Sequence, residues 1–151
     1  MENTMKKQFT LSLALLAGSL MMGCSSSSSA SDSTPSYNPE DCTLAEEGIK
    51  ILLPAGDEEY KIGDSVTIVF VANYSNAGGF SVLYKANADD QGSELFANSI
   101  GDEAPDGTEC TEVKALLSEK LSASTEAFIR VQAYNAPKIR ANSNTFTVKA
   151  K

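Results

Sequence analysis

Residues 66–72 read VTIVFVA. Side chains on an extended chain alternate between two faces, so Val66, Ile68, Phe70 and Ala72 line one side of a strand, which the turn-rich stretch from Asn73 to Gly79 ends. The same period of two recurs on both sides of it. Upstream, Ile49, Ile51 and Leu53 face one way. Downstream, Phe80, Val82 and Tyr84 alternate with Ser81, Leu83 and Lys85; Ile129, Val131 and Ala133 alternate with Arg130 and Gln132; and Phe146 and Val148 alternate with Thr145, Thr147 and Lys149. Leu95 to Ile100 reads as a further strand. Val113 to Leu117 reads as another, although LLSEKL at residues 116–121 also suits a helical turn.

Short strands divided by Gly, Asn, Asp and Pro at fairly regular intervals predict an all-β fold, an Ig-like antiparallel two-sheet sandwich of about seven strands. It takes up residues 42–151, about 110 residues and the size of one domain. Residues 25–41 before it read SSSSSASDSTPSYNPED, a composition with almost nothing to bury, which predicts a disordered tether. As a flexible coil it spans roughly 23 Å on average, and about 55 Å when pulled straight.

At the N-terminus Lys6 and Lys7 precede an apolar stretch from Phe9 to Met22, interrupted only by Thr10, Ser12, Gly18 and Ser19 and followed by Gly23. This is the layout of a secretory signal over residues 1–23, and an apolar run of about 14 residues is too short for the roughly 20 of a spanning helix. The segment from Leu11 to Cys24 resembles the signal of bacterial lipoproteins, with Met21 standing where those signals usually carry leucine. The resemblance implies cleavage before Cys24, which becomes the acylated N-terminus of a tether over residues 24–41. The expected partner is thus a membrane, held through a lipid anchor. Ser25 implies, by the sorting rule of Gram-negative lipoproteins, the outer membrane, with its periplasmic and outward faces both left open.

Within the domain, Pro54, Gly56, Tyr60, Ile62, Gly63, Asp64, Val66, Ile68 and Phe70, then Phe128, Ile129, Arg130, Val131, Ser143, Phe146 and Val148, resemble the Ig-like modules of bacterial surface lipoproteins. More loosely, they resemble the Ig-like domain of fungal Ser/Thr-rich GPI-anchored cell-wall proteins. Phe70 replaces the tryptophan such modules have after the first hairpin. The resemblance implies a role in the envelope or in adhesion. Three cysteines in an exported chain leave one unpaired, and giving Cys24 to lipid leaves Cys42 and Cys110 as a disulfide. In the sandwich the strands after these two cysteines both pair with the 66–72 strand and start at one pole, which brings the cysteines together. Two free buried thiols are the alternative.

Composition narrows the function. The formal charge is −8, and loss of the signal, with Glu2, Lys6 and Lys7, takes it to −9. Nucleic-acid binding requires clustered Lys and Arg, and no basic stripe occurs, so no nucleic acid is expected as a partner. The chain has no histidine, which removes Ser-His, Cys-His and His-ligated metal sites together and predicts a protein that is not an enzyme. Acidic residues cluster in two turns, Asp57, Glu58, Glu59 and Asp64 in one and Asp89, Asp90 and Glu94 in the other, both expected at the pole opposite the cysteines. Solvated turns without cofactor are the first expectation; a Ca²⁺ site using Asp57, Asp89 and Asp90 is the alternative, with Asn98 where a calcium loop carries its bidentate Glu.

The candidate binding surface is the outer face of one sheet, where alternation turns Leu83, Lys85, Phe128, Arg130, Gln132 and Tyr134 outward. Aromatics and Arg are enriched in interface cores. The competing expectation is that loops or lysine stems cover Phe128 and Tyr134. Two functions follow from these residues. One is a non-catalytic, lipid-anchored envelope module that docks a partner protein or polysaccharide through Leu83, Lys85, Phe128, Arg130 and Tyr134. The other is a carbohydrate- or calcium-dependent adhesin.

Overall fold

The computed structural model of the chain describes residues 36–98 and 105–151. The signal peptide, Cys24 and most of the tether lie outside the described residues, as do Ser99 and Ile100 at the end of the strand expected over 95–100. A 3₁₀ turn at Pro39–Asp41 leads into nine strands: β1 (Gly48–Leu53), β2 (Glu59–Lys61), β3 (Ser65–Asn73), β4 (Phe80–Lys85), β5 (Ser93–Asn98), β6 (Asp106–Leu116), β7 (Ser124–Ala133), β8 (Arg140–Asn142) and β9 (Phe146–Lys149). They form two sheets, one ordered β1-β3-β6 and one ordered β2-β9-β7-β4-β5, with β8 pairing beside β9 on the same edge of β7.

Val66, Ile68, Phe70 and Ala72 of β3 meet Phe80, Val82 and Tyr84 of β4 and Ile129, Val131 and Ala133 of β7 in one core between the sheets. Phe70 and Phe80 close it with an edge-to-face contact at 5.4 Å between ring centres. These are the residues whose alternation set the expectation of a sandwich, and their burial is the physical reason for the fold. β6 settles the ambiguity at 113–117. It pairs antiparallel with β3 along its whole length, and Val113, Ala115 and Leu117 point into the core, whereas residues 118–121 make the turn. Local propensity offered two solutions, and ladder pairing with β3 selected one.

Two strands lie outside the expected seven. The chain leaves β1 at Leu53, turns through a cis peptide bond to Pro54, and re-enters as β2 in the opposite sheet, parallel to β9. The Glu58 carboxylate holds this crossing together by accepting from the backbone N–H groups of Ala55 and Gly56, both at 2.7 Å. On the far edge, β8 and β9 are one strand interrupted at Ser143–Thr145. Ser143 bridges the gap, donating its N–H to Ile129 O at 2.8 Å and accepting from Ile129 N through Oγ at 3.0 Å.

Cys42 and Cys110 form the expected disulfide, closing a sequence separation of 68 with Cα atoms 5.1 Å apart. Cys110 sits opposite Val71, so the bridge lies on the outer face of the smaller sheet. Beside it, Leu44 N donates to Gly107 O at 2.8 Å, and Asn73 Nδ2 donates to Leu44 O and Ala45 O. Gly107 is required here: φ is +79°, and a Cβ would lie 2.1 Å from Leu44 O. The order reaches upstream of Cys42, since Asn38 caps the 3₁₀ turn and Lys50 Nζ donates to Asp41 O.

Candidate binding face

β4 and β7 pair in the register Phe80 with Ala133 through Lys85 with Phe128. Because Ile129 and Val131 are fully buried in the core, Phe128, Arg130 and Gln132 stand on the outer face of β7 with Ser81, Leu83 and Lys85 beside them on β4. The face expected from alternation is therefore present, but its relief is different. Phe128 is only 7 % exposed and Lys85 only 5 %, so neither is a surface contact residue as expected. The Lys85 ammonium lies 5.7 Å and the Arg130 guanidinium 5.8 Å from the centre of the Phe128 ring, so two cations close over one aromatic. Of the expected contact set, Leu83 and Arg130 are partly exposed and Tyr134 is 41 % exposed, at the end of β7.

Lys85 is engaged rather than available. Its Nζ donates to Ala88 O at 3.2 Å within the turn between β4 and β5. The Asp90 carboxyl in the same turn accepts from the N–H groups of Ala86 at 2.8 Å and Gly92 at 3.0 Å. These backbone donors, Ala86 first, and to a lesser extent the Lys85 charge hold it below the usual carboxylate range. Arg130 is fixed on its other side, donating Nε–H to Asn142 Oδ1 at 2.9 Å. Its pKa is lowered by partial burial and then by the charge of Arg140.

Arg140 and Asn142 were invisible to alternation. They sit on β8, a three-residue strand whose sequence RAN has no apolar pair to betray an extended segment. The register of β7 with β8 sets Arg130 beside Asn142 and Gln132 beside Arg140, on the same outer face. A weak signal existed in the spacing of polar residues from Arg130 to Asn142 around a Pro-containing turn.

The acidic turns lie where topology placed them, at the ends of β1 and β4. Three of their carboxylates are occupied locally: Glu58 and Asp90 as above, and Asp64 Oδ2 by Lys61 N at 2.8 Å. Asp57 sits in the β1–β2 crossing at φ +62°, and Asn87 rather than Asp89 caps the second turn. An open depression of about 460 Å³ lined by Asn87, Asp90, Ser122 and Ser124 flanks that turn. Among the described residues, no three His, Cys, Asp or Glu side chains converge on a metal-sized site. No helix of the described residues is long and apolar enough to cross a membrane. The chain matches no model of a known protein family, and no curated protein matches it in sequence.

Proposed function

We propose that this chain is a non-catalytic binding module, held at the outer membrane through a lipid on Cys24, which presents the outer face of its larger sheet to a partner protein or envelope component. The observation that carries the reading is the fixed Arg130: its Nε is bound by Asn142, its guanidinium rests over the Phe128 ring, and exposed Tyr134 follows directly on the end of the same strand. Side chains held in place before a ligand arrives lose less entropy on binding. The absence of histidine supports a role without catalysis. The linker composition of residues 25–41 supports a domain standing clear of the headgroups.

The test is chemical cross-linking of the tagged full-length protein in its native cells, purification and mass spectrometry, comparing the native chain with a Tyr134→Ala, Arg130→Gln double variant. The expected result is one or a few partners lost in the variant while its melting temperature stays close to native. Identical partners in both would show that this face does not bind. A Cys24→Ser variant in the same cells is expected to leave the membrane fraction.

A further inference from the structure

Arg130 and Arg140 are diagonal neighbours on one sheet face, set there by the β7–β8 register and by the burial of Ile129 and Val131 on the opposite side. Neither forms an ion pair among the described residues, and the Glu94 carboxylate, set on this face opposite Leu83, accepts from Ser81 Oγ at 2.9 Å. The ion pairs among the described residues join Lys50 to Asp41, Lys149 to Glu59 and Lys151 to Glu119, and none includes Arg130 or Arg140. Two like charges held side by side cost energy that a counter-ion would recover. With Arg130 Nε committed to Asn142, its two terminal nitrogens remain, and these form the planar fork that takes a carboxylate through two hydrogen bonds. Gln132 and Asn142 place planar amides between and beside the arginines, and Tyr134 supplies an exposed ring at the end of the strand.

We propose that the Arg130–Arg140 pair, with Gln132, Asn142 and Tyr134 around it, binds the carboxylate of an acidic sugar in an envelope polysaccharide. This rests on the reading of the face as a binding surface and names its ligand. The burial of Phe128 directs the choice. A protein interface draws its energy from an aromatic or aliphatic anchor that becomes fully desolvated, and here the large aromatic of the face is already covered by its own lysine and arginine. What β7 and β8 leave exposed is guanidinium, amide and phenol, with partly exposed Leu83 beside them on β4, groups suited to hydroxyls, a carboxylate and the apolar side of a sugar ring. The net charge of −8 sets the number of charges. A polyanion meets repulsion from the whole chain, whereas one carboxylate in a largely neutral glycan feels chiefly the local pair, because more distant charges are screened beyond about 8 to 10 Å.

The experiment is a titration of detergent-solubilised, ¹⁵N-labelled full-length protein with a glucuronosyl-xylose disaccharide, with the carboxyl-reduced neutral disaccharide, and with an Asp-containing tetrapeptide. Backbone amide and arginine Nε–H resonances are followed. The expected result is saturable shifts at Arg130, Gln132, Arg140 and Asn142 with the acidic sugar, and binding about tenfold weaker for the neutral sugar and for an Arg140→Gln variant of native melting temperature. Absence of shifts at these residues up to about 50 mM acidic sugar, or equal shifts with the neutral one, overturns the proposal, since a Kd beyond that is no recognition. Shifts with the tetrapeptide alone also overturn it and point to an acidic protein. If the sugar fails while cross-linked partners still depend on Tyr134 and Arg130, the ligand class is wrong and the face is right; if both fail, the face itself is wrong.

Discussion

Truncating Phe128 distinguishes a covered platform from an exposed contact. A surface aromatic can be removed with little loss of stability, but Phe128 is 7 % exposed and lies beneath Lys85 and Arg130. Phe→Ala in a core costs about 3 to 5 kcal/mol, and here one side of the ring is closed by flexible stems that can collapse into the space, which favours the lower end. Two cation contacts, each contributing about 0.5 to 1 kcal/mol, are lost with it. The total is about 4 kcal/mol, and at about 4 °C per kcal/mol for a domain near 110 residues it lowers the melting temperature by about 16 °C. Calorimetry of Phe128→Ala against the native protein measures this. Lys85→Met with and without Phe128→Ala completes a double-mutant cycle whose coupling isolates the cation contact. A fall of less than about 3 °C would mean that the ring is not under cover, since so small a change corresponds to less than 1 kcal/mol. The same magnitude is why Tyr134→Ala and Arg130→Gln, rather than Phe128→Ala, are the binding variants.

Removing the disulfide by Cys42→Ala with Cys110→Ala releases a loop of 68 residues and is expected to cost about 4 kcal/mol by chain entropy, read as a melting-temperature loss of about 15 °C. A loss under about 5 °C would show that the Leu44, Asn73 and Gly107 contacts hold the segment without it. The Tyr60 hydroxyl is buried without a hydrogen-bond partner, so Tyr60→Phe is expected to stabilise the protein by about 1 kcal/mol, with destabilisation in urea melts counting against the reading. Burial, with Glu58 adding a smaller effect, pushes the Tyr60 pKa up to about 12, so the folded state keeps the proton that the unfolded state loses near 10. Stability is therefore lost as pH rises from about 10 toward 12, and Tyr60→Phe flattens that limb. Asp90 behaves in the opposite sense: its folded pKa is depressed by the Ala86 and Gly92 amides, so its contribution is present above about pH 4 and disappears as pH falls below, a slope that Asp90→Asn removes in acid denaturation.

Much of the domain was legible in its residues because burial in a sandwich acts on alternate positions. β4, β7 and β9 carry their apolar period openly, whereas VTIVFVA names a strand whose two faces are both covered, with Val69 and Val71 as fully buried as Val66 and Ile68. Val113 to Leu117 was ambiguous for the same reason that its answer was simple: its neighbours on the ladder are about 45 residues away in β3, and local pattern holds no memory of them. β2 and β8 were illegible because three residues at an edge bury too little to leave a period. Their partners, not their own side chains, make them strands.

By itself, the sequence determined an all-β sandwich and the faces of its long strands, since period-two burial is a property of local chain order. Cysteine pairing followed from the exported reading and from which strands share an end. Only the tertiary structure decided what stands on the outer face. Whether Phe128 is open or covered depends on Lys85, 43 positions away, and whether Arg130 stands alone depends on Arg140 arriving from β8 through a turn. Exposure and electrostatic partnership are set by distances through space, which one-dimensional order does not encode.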